Sequence, residues 1–365
     1  MDARWKKVLL LQTSFLGDTV LTLPLISEIK RRFPSGHLSV ICGPLAAELL
    51  QGHPDIDEII IDDKKGADKG LKALWRKGRL LKQNGYTLAL TPHKSLRSAL
   101  LLCFAAIPYR VGFRQSKGWF LFHGRAHRRA ERHEIERTLS ILEPLGIEPK
   151  DCQRSLSLPL TPESRGAVAR LLDSLSIKAD KLLIGINPGS VWPTKRWSVT
   201  GFAQLIRLLK QKYDCEVLLF GGPEDLPIAS QIQELCHHAA VNFAGKIALS
   251  QFAAALSACR ILVTNDSAPM HIAVARNVPT VAIFCATTPA LGFYPYSADA
   301  IVVEKDLPCR PCGSHGGRRC PLGTEDCIQL IPPDRVLRAV EELLERKIET
   351  PAMERKGCLP EFIAV

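Results

Sequence analysis

The feature that most constrains the fold is a regular alternation of short apolar runs with amphipathic stretches of helical length. In the first half of the chain, Val8–Gln12, His37–Cys42, Glu58–Ile61 and Tyr109–Phe113 are typical of buried strands. The segments between them have the length and periodicity of helices, including a predicted helix over Asp18–Phe33. Strands that alternate with such helices form parallel α/β sheets.

The same alternation resumes after Pro159. Strands are predicted at Lys181–Asn187, Cys215–Phe220, Ile261–Asn265 and Thr280–Phe284. A chain of 365 residues has the length of two domains. We therefore expect an α/β protein with two Rossmann-like domains, at residues 1–165 and 166–348, and a tail at 349–365.

Charge is distributed unevenly between the two halves. Residues 1–180 contain 29 Lys and Arg against 19 Asp and Glu, whereas residues 181–365 contain 19 against 18. A basic half favours an anionic partner, such as a phosphorylated glycolipid, a membrane surface or a nucleic acid. No nucleic-acid-binding module is recognisable, which makes a nucleic-acid-binding protein the weaker alternative. No apolar run reaches the roughly 18 residues of a membrane span, and the first residues do not resemble a signal peptide, so we expect a cytoplasmic protein.

The first motif, Thr13–Asp18, follows the first predicted strand directly. Ligands of doubly wound sheets bind beyond the carboxyl ends of strands. Asp18 is therefore either a helix N-cap after a turn at Gly17, or a general base that accepts a proton from a hydroxyl group. The chain has no G-x-G-x-x-G fingerprint, which disfavours an enzyme that uses a nicotinamide cofactor.

The second motif, Asn187–Trp197, follows the first strand of the second domain. Gly189 and Ser190 offer backbone N–H groups and a hydroxyl to a phosphate. Lys195 or Arg196 can add a positive charge. A structural loop with solvated cations is the alternative.

The third motif, Phe220–Asp225, contains two glycines and then Glu224, which is placed to accept hydrogen bonds from a ribose or an amine. A plain turn with an acidic residue in the first turn of a helix explains this pattern equally well.

The fourth motif, Val263–His271, predicts a strand, a turn and a helix start, with Asp266 or Ser267 as the cap and Pro269 in the first turn. The N–H groups of such a helix start bind anions. His271 is near enough along the helix to face the same site.

These four motifs, in this order and spacing, resemble glycosyltransferase family 9, the lipopolysaccharide heptosyltransferases, and the resemblance extends from Val8 to the last helix. It implies a GT-B fold, in which two Rossmann-like domains with parallel sheets face each other across a cleft. It further implies an inverting transfer from ADP-heptose that needs no cofactor and no obligatory metal.

The resemblance also implies roles for individual residues. Asp18 matches the catalytic base, and the donor-binding positions are Ser190 and Lys195 for the pyrophosphate, Glu224 for the ribose side, and Asp266, Ser267 and His271 for sugar and phosphate. The spacing from Ser190 to Lys195 is longer than in some relatives, which leaves Lys195 and Arg196 as alternatives for one role.

Two basic clusters in the first half, Lys64–Lys82 and His93–His133, are candidates for the acceptor side. A solvated helix face explains much of the first cluster. In the second cluster we select Lys94, Arg97 and Arg114 as contacts for phosphates and carboxylates of an anionic lipid A-core acceptor. The expected location is the cytoplasm, at the inner face of the inner membrane.

Four late cysteines, Cys309, Cys312, Cys320 and Cys327, have a spacing that could hold zinc or an iron–sulfur cluster. Their irregular last gaps and a chemistry that needs no metal argue against it. A structural metal is therefore the lesser alternative.

Overall fold

The computed structural model describes residues 5–178, 180–349 and 359–365, with the side chains of 347–349 left undescribed. The chain divides into two compact units, one ending at Pro159 and the other beginning at Leu160. This division lies slightly before the boundary expected at residue 165.

The first unit contains a six-stranded parallel sheet in the order β3-β2-β1-β4-β5-β6. Its strands are β1 (Lys7–Gln12), β2 (His37–Cys42), β3 (Glu58–Ile61), β4 (Leu88–Thr91), β5 (Tyr109–Phe113) and β6 (Gly124–Ala126). This is the strand order of a Rossmann fold, and the order reverses between β1 and β4. Ligand-binding residues are therefore expected beyond the ends of those two strands.

The helices of the first unit are α1 (Leu16–Val20), α2 (Leu23–Arg32), α3 (Pro44–Leu50), α4 (Gly70–Gln83), α5 (Leu96–Phe104) and α6 (Glu134–Leu139). A short 3-10 helix covers Trp119–Leu121. The single helix predicted over Asp18–Phe33 is wrong: α1 begins two residues earlier and a break precedes α2. The break is stabilised because Thr22 Oγ1 donates to the carbonyl of Asp18 at 2.7 Å and Pro24 has no N–H to continue the first helix.

The second unit contains a seven-stranded parallel sheet in the order β13-β12-β11-β10-β7-β8-β9. Its strands are β7 (Leu182–Asn187), β8 (Cys215–Leu219), β9 (Val241–Asn242), β10 (Ile261–Asn265), β11 (Thr280–Phe284), β12 (Ala300–Glu304) and β13 (Glu361–Ala364). The order repeats that of the first sheet with one further edge strand. Here the reversal lies between β7 and β10.

The helices of the second unit are α7 (Pro162–Ser174), α8 (Val199–Lys212), α9 (Leu226–Leu235), α10 (Leu249–Ala258), α11 (Ala268–Ala275), α12 (Asp326–Gln329) and α13 (Pro333–Glu349). The apolar face predicted for the last helix is confirmed, since Val336, Val340 and Leu343 are buried in the core. Of the expected tail, 350–358 lies outside the described residues, and Glu361–Ala364 forms the edge strand β13. No helix in the described part of the chain is long and apolar enough to cross a membrane.

Candidate functional site

The turns after β7 and β10 are tied together by Asn265, a fully buried residue at the end of β10. Its amide Nδ2 donates to the carbonyl of Pro188 at 2.7 Å, and its Oδ1 accepts from the N–H of Trp197 at 2.9 Å. Both ends of the second motif are therefore fixed to one side chain. No role was predicted for Asn265 from the sequence, although a polar amide side chain at the end of an apolar strand could have indicated one.

Lys195 and Asp266 form an ion pair across the same point, with 2.7 Å between Nζ and Oδ2. Thr287, just beyond β11, donates its hydroxyl to the same carboxylate oxygen at 2.6 Å. The pair therefore holds the turns after β7, β10 and β11 in one arrangement.

Arg196 has a different partner from Lys195. Its Nε donates to the carbonyl of Ser190 at 2.8 Å, which fixes the Gly189–Ser190 turn. The two cations considered as alternatives are thus separated by geometry, with Lys195 at the acidic turn and Arg196 behind the glycine turn.

The third motif packs against the second through Asp225. A Cβ placed on Gly189 would overlap the carboxylate of Asp225, so only glycine allows this approach. Asp225 also accepts from the N–H of Gly222 at 3.0 Å, and burial raises the pKa of its carboxyl group against the opposing effect of that N–H. Asp225 is therefore the structural carboxylate of this turn, while Glu224 is exposed and accessible to a ligand.

Of the two residues predicted to cap α11, Ser267 is the N-cap and Asp266 is not, but no side chain makes a capping hydrogen bond there. Ser267 occupies the N-cap position without a capping hydrogen bond, and its hydroxyl donates to the carbonyl of Asn265 at 3.3 Å. The Asp266 carboxylate is already engaged by Lys195 and Thr287. Among the first three residues of α11, Pro269 has no N–H and the N–H of Met270 donates to the carbonyl of Ser267 at 3.1 Å, so a ligand at this helix start would meet the N–H of Ala268.

His271, in α11, is buried, and its Nδ1 has no hydrogen-bond partner among the described residues. Burial, with a further contribution from the positive charge of Lys195, lowers the pKa of His271 to about 3. The imidazole is therefore neutral at neutral pH.

Together, these features lie at the carboxyl edge of the second sheet. It combines an uncapped helix start, the backbone of the Gly189–Ser190 turn and the Lys195 ammonium. Uncapped N–H groups with a nearby cation are the chemistry that binds a diphosphate.

In the first unit, Asp18 lies in the first turn of α1 and is not its N-cap. The N-cap is Phe15, whose N–H donates to Asp18 Oδ2 at 3.3 Å. The Asp18 side chain is partly exposed just beyond β1, beside the reversal point of the first sheet. This position suits a carboxylate that meets a substrate.

His93 and Lys64 hold the turn that precedes Asp18. The ammonium of Lys64 donates to the carbonyl of Thr13, and His93 Nδ1 lies 2.9 Å from Ser98 Oγ and 3.4 Å from Thr13 Oγ1. Burial, and then the charge of Lys64, lowers the pKa of His93 to about 4. The turn is therefore fixed by neutral and cationic side chains that the sequence analysis did not select.

Glu134, in the first turn of α6, is a second carboxylate near Asp18. It pairs with Arg128, and with Arg137 at 3.1 Å. Burial raises the pKa of Glu134; Arg128 opposes this effect, and the negative charge of Asp18 adds to it. Its sequence signal was a carboxylate inside the most arginine-rich stretch, but no motif marked it.

The three proposed acceptor contacts differ in their surroundings. Arg97 binds the buried carboxylate of Asp62, with 3.0 Å between Nη2 and Oδ1, and also donates to the carbonyl of Asp68. Lys94 and Arg114 are exposed, so their charged groups are available to a ligand. The structure thus gives Arg97 a structural partner that the sequence did not reveal.

The late cysteines do not form a recognisable metal site. Within the ranges that the structure describes, no group of three or more His, Cys, Asp or Glu side chains is arranged to hold a metal ion. Cys309 is exposed and Cys327 is buried, and burial raises the pKa of Cys327 to about 11. The structural metal is therefore unsupported.

Two Rossmann-like units, each built on a parallel sheet, have the fold of the GT-B glycosyltransferases. The chain belongs to glycosyltransferase family 9 (heptosyltransferase), whose sequence profile matches residues 74–320.

Individual members of the family are similar to this chain over nearly its whole length. The lipopolysaccharide heptosyltransferase 2 of Salmonella typhimurium is 28% identical over 93% of this chain and 99% of its own length. Among solved structures, a family 9 glycosyltransferase from Veillonella parvula has a TM-score of 0.84 and 25% identity, covering 95% of this chain and 99% of its own. The ADP-heptose lipopolysaccharide heptosyltransferase II of E. coli has a TM-score of 0.77 and 25% identity, with 94% and 99% covered.

Proposed function

We propose that this enzyme transfers heptose from ADP-L-glycero-D-manno-heptose to the inner core of lipopolysaccharide, as heptosyltransferase II does, with inversion at the anomeric carbon. The names of the relatives from Salmonella typhimurium and E. coli support the sugar and the acceptor class. The observation that carries the donor assignment is the Lys195–Asp266 pair beside the uncapped start of α11.

In this proposal the donor binds along the carboxyl edge of the second sheet. Lys195, Ser190 and the N–H of Ala268 at the start of α11 contact the diphosphate, and the exposed Glu224 accepts from the ribose hydroxyls. Asp266, Ser267 and the neutral His271 lie where the heptose and the adjoining phosphate would be held. Asp266 keeps the ammonium of Lys195 in place while the ligand enters.

Transfer is a single displacement. The acceptor oxygen forms a bond to the anomeric carbon, the bond from that carbon to the diphosphate oxygen breaks, and Asp18 takes the proton of the acceptor hydroxyl. ADP leaves with the electron pair of the broken bond. Lys195 and the Ala268 N–H at the start of α11 stabilise its growing negative charge, and one such preorganised donor typically contributes about 2.7 to 4 kcal/mol.

On the acceptor side, Lys94 and Arg114 present exposed cations on the same unit as Asp18. We propose that they contact phosphates and carboxylates of the lipid A-core acceptor, on the cytoplasmic face of the inner membrane. Arg97 supports this region through its ion pair with Asp62.

The test is a transfer assay with purified protein, ADP-heptose and inner-core acceptors that carry no, one or two heptoses. The proposal expects one acceptor to gain a single heptose, preferentially the one heptosyltransferase II would use, with unchanged rates in a chelator. Use of a different acceptor would assign a heptosyltransferase I- or III-like activity. Transfer from another nucleotide sugar, with none from ADP-heptose, would contradict the donor assignment.

A further inference from the structure

Helix α4 exposes large apolar residues on its outer side. Leu71 is 72% exposed and Trp75 is 49% exposed, although Leu74 and Leu81 of the same helix are buried in the core. Leu71 and Trp75 are four residues apart and therefore adjacent on the helix surface. The apolar strip of α4 therefore extends beyond the part that its own core covers, and Leu71 and Trp75 contribute mainly exposed apolar surface.

The 3-10 helix Trp119–Leu121 shows the same property. Trp119 is 46% exposed and Phe120 is 59% exposed, and their rings meet edge to face at 6.2 Å. Single exposed apolar residues are ordinary on protein surfaces, but two pairs on neighbouring elements are not.

Helix α5 joins these two elements into one surface. A Cβ on Gly78 of α4 would overlap Phe104 of α5, and a Cβ on Gly118, beside the 3-10 helix, would overlap Ala99 of α5. Gly78 is buried and lies between the exposed Leu71 and Trp75 and the buried Leu74 and Leu81 on the helix surface. Both exposed pairs therefore border α5, whose own Leu96 is also exposed.

We name this surface the aromatic–basic face. Its apolar members are Leu71, Trp75, Leu96, Trp119 and Phe120. Its exposed cations are Lys72, Arg76, Arg79, Lys82, Lys117 and Arg125.

The charges of this face are of one sign, since residues 70–83, 96–104 and 114–125 contain no Asp or Glu. Two cations lie directly on the exposed indoles: the Arg79 guanidinium is 5.0 Å from the Trp75 ring centroid, and that of Arg125 is 4.8 Å from the Trp119 centroid. Because a guanidinium stacks on each exposed indole, the apolar ring and the positive charge would lie at the same depth in a bilayer. That combination suits the headgroup region of a bilayer, where indoles and basic residues concentrate.

We propose that the aromatic–basic face docks on an anionic phospholipid bilayer, with Trp75, Leu71, Trp119 and Phe120 entering the headgroup region. The exposed aliphatic side chains favour a lipid over a nucleic acid, because bases would stack on the aromatic rings and gain little from leucines. The inference deepens the proposed function, on which it rests for the lipid-anchored acceptor. Vesicle binding is nevertheless measured without donor, acceptor or turnover, so the two proposals can fail separately.

The test is co-sedimentation of the full chain with vesicles of phosphatidylcholine and phosphatidylglycerol at three to one, compared with pure phosphatidylcholine. Wild type should bind the anionic vesicles, and high salt should weaken that binding. The double variant Lys72→Gln/Arg76→Gln should bind roughly twenty-five-fold more weakly, because each cation near an anionic surface contributes about fivefold. The charge-matched control Lys212→Gln/Arg338→Gln, on exposed residues of the second unit, should bind as wild type does.

The apolar part is tested with Leu71→Ser/Trp75→Ser, which should weaken vesicle binding about tenfold or more. Its control is Leu322→Ser/Leu330→Ser, two exposed leucines of the second unit. Lipid brominated in its acyl chains should quench the tryptophan fluorescence of the wild type, and Trp75→Phe should reduce that quenching while keeping binding.

Equal loss of binding in the α4 variants and their controls would overturn the proposal. So would the absence of quenching by brominated lipid in the wild type. Binding to a single-stranded oligonucleotide that depends on Lys72 and Arg76, with none to the vesicles, would show a nucleic-acid surface instead.

Discussion

The ammonium of Lys195 and the carboxylate of Asp266 lie 2.7 Å apart with side chains only 14% and 6% exposed, one following β7 and the other following β10. These are the two strands between which the order of the second sheet reverses. The pair therefore sets the shape of the point where a Rossmann-like sheet binds its ligand.

We expect Lys195→Ala to weaken both folding and ADP binding. Removing one partner of a buried pair typically costs about 3 kcal/mol or more, because the remaining charge stays buried. The loss of a charge-assisted contact should weaken ADP binding roughly ten- to hundredfold. Urea unfolding and calorimetric titration with ADP measure the two effects.

Its control is Lys181→Ala, which removes an ion pair with the exposed Asp214. This surface pair should contribute little to stability and nothing to ADP binding. Equal ADP affinity in the two variants would contradict the role of Lys195.

Gly189→Ala should disturb the donor site through a steric effect alone. The new methyl group must displace the carboxylate of Asp225, and overpacking of this kind costs about 1–3 kcal/mol. We expect a lower unfolding midpoint and weaker ADP binding. Gly43→Ala is the control, since a Cβ there meets no atom within 4 Å; if both variants behave alike, the close approach at Gly189 is unimportant.

His271 should make the protein sensitive to acid. The pKa of His271 is about 3 in the folded protein, compared with an ordinary value of 6.5 in the unfolded chain. Below pH 6.5 the unfolded chain therefore binds a proton at this residue that the folded protein does not bind. The stability is fully present above pH 6.5 and falls towards pH 3, by up to about 1.4 kcal/mol per pH unit. Urea unfolding between pH 7.5 and 5 should show a shallower pH dependence in His271→Asn than in the wild type, and identical slopes would contradict the prediction.

Alanine substitutions of Arg97 and Arg114 should distinguish a residue that stabilises the fold from one that binds the acceptor. Arg97→Ala leaves the buried Asp62 with Lys77 as its remaining ion-pair partner among the described residues, so the unfolding midpoint should fall. Arg114→Ala should leave stability unchanged and raise the KM for the acceptor several-fold, without changing the KM for ADP-heptose. An unchanged acceptor KM would remove Arg114 from the acceptor side.

The sequence predicted the sheets well because strand and helix periodicities differ clearly in buried parallel strands. His37–Cys42, Glu58–Ile61, Ile261–Asn265 and Thr280–Phe284 have the predicted bounds. Strands β6 and β9 were missed because they are only three and two residues long, and β13 because it lies in an unremarkable terminal segment. Strand β12 was missed as well, although Ala300–Glu304 is an apolar and mostly buried run.

The candidate site residues that belong to motifs were easier to recognise from the sequence than the residues whose hydrogen bonds and ion pairs fix those motifs in place. Glycine turns and polar residues after strands marked Lys195 and Asp266, since local sequence determines both features. Asn265 acts through Pro188, which is distant along the chain, and no local pattern encodes such a contact. Glu134 pairs with Arg128 and Arg137, which are close in sequence but were not distinguished from the other arginines around them. Arg97 looked like a free cation because its partner, Asp62, becomes adjacent only when the sheet forms.

The proposed transfer depends most on Asp18 as the base, whereas binding of the donor depends on residues of the second unit. The direct measurement is heptose transfer and ADP affinity in Asp18→Asn, with the exposed Asp151→Asn as control. We predict a fall of about 10²- to 10⁴-fold in kcat for Asp18→Asn, with ADP affinity unchanged and the control fully active. Turnover near the wild-type rate in Asp18→Asn would contradict the central claim.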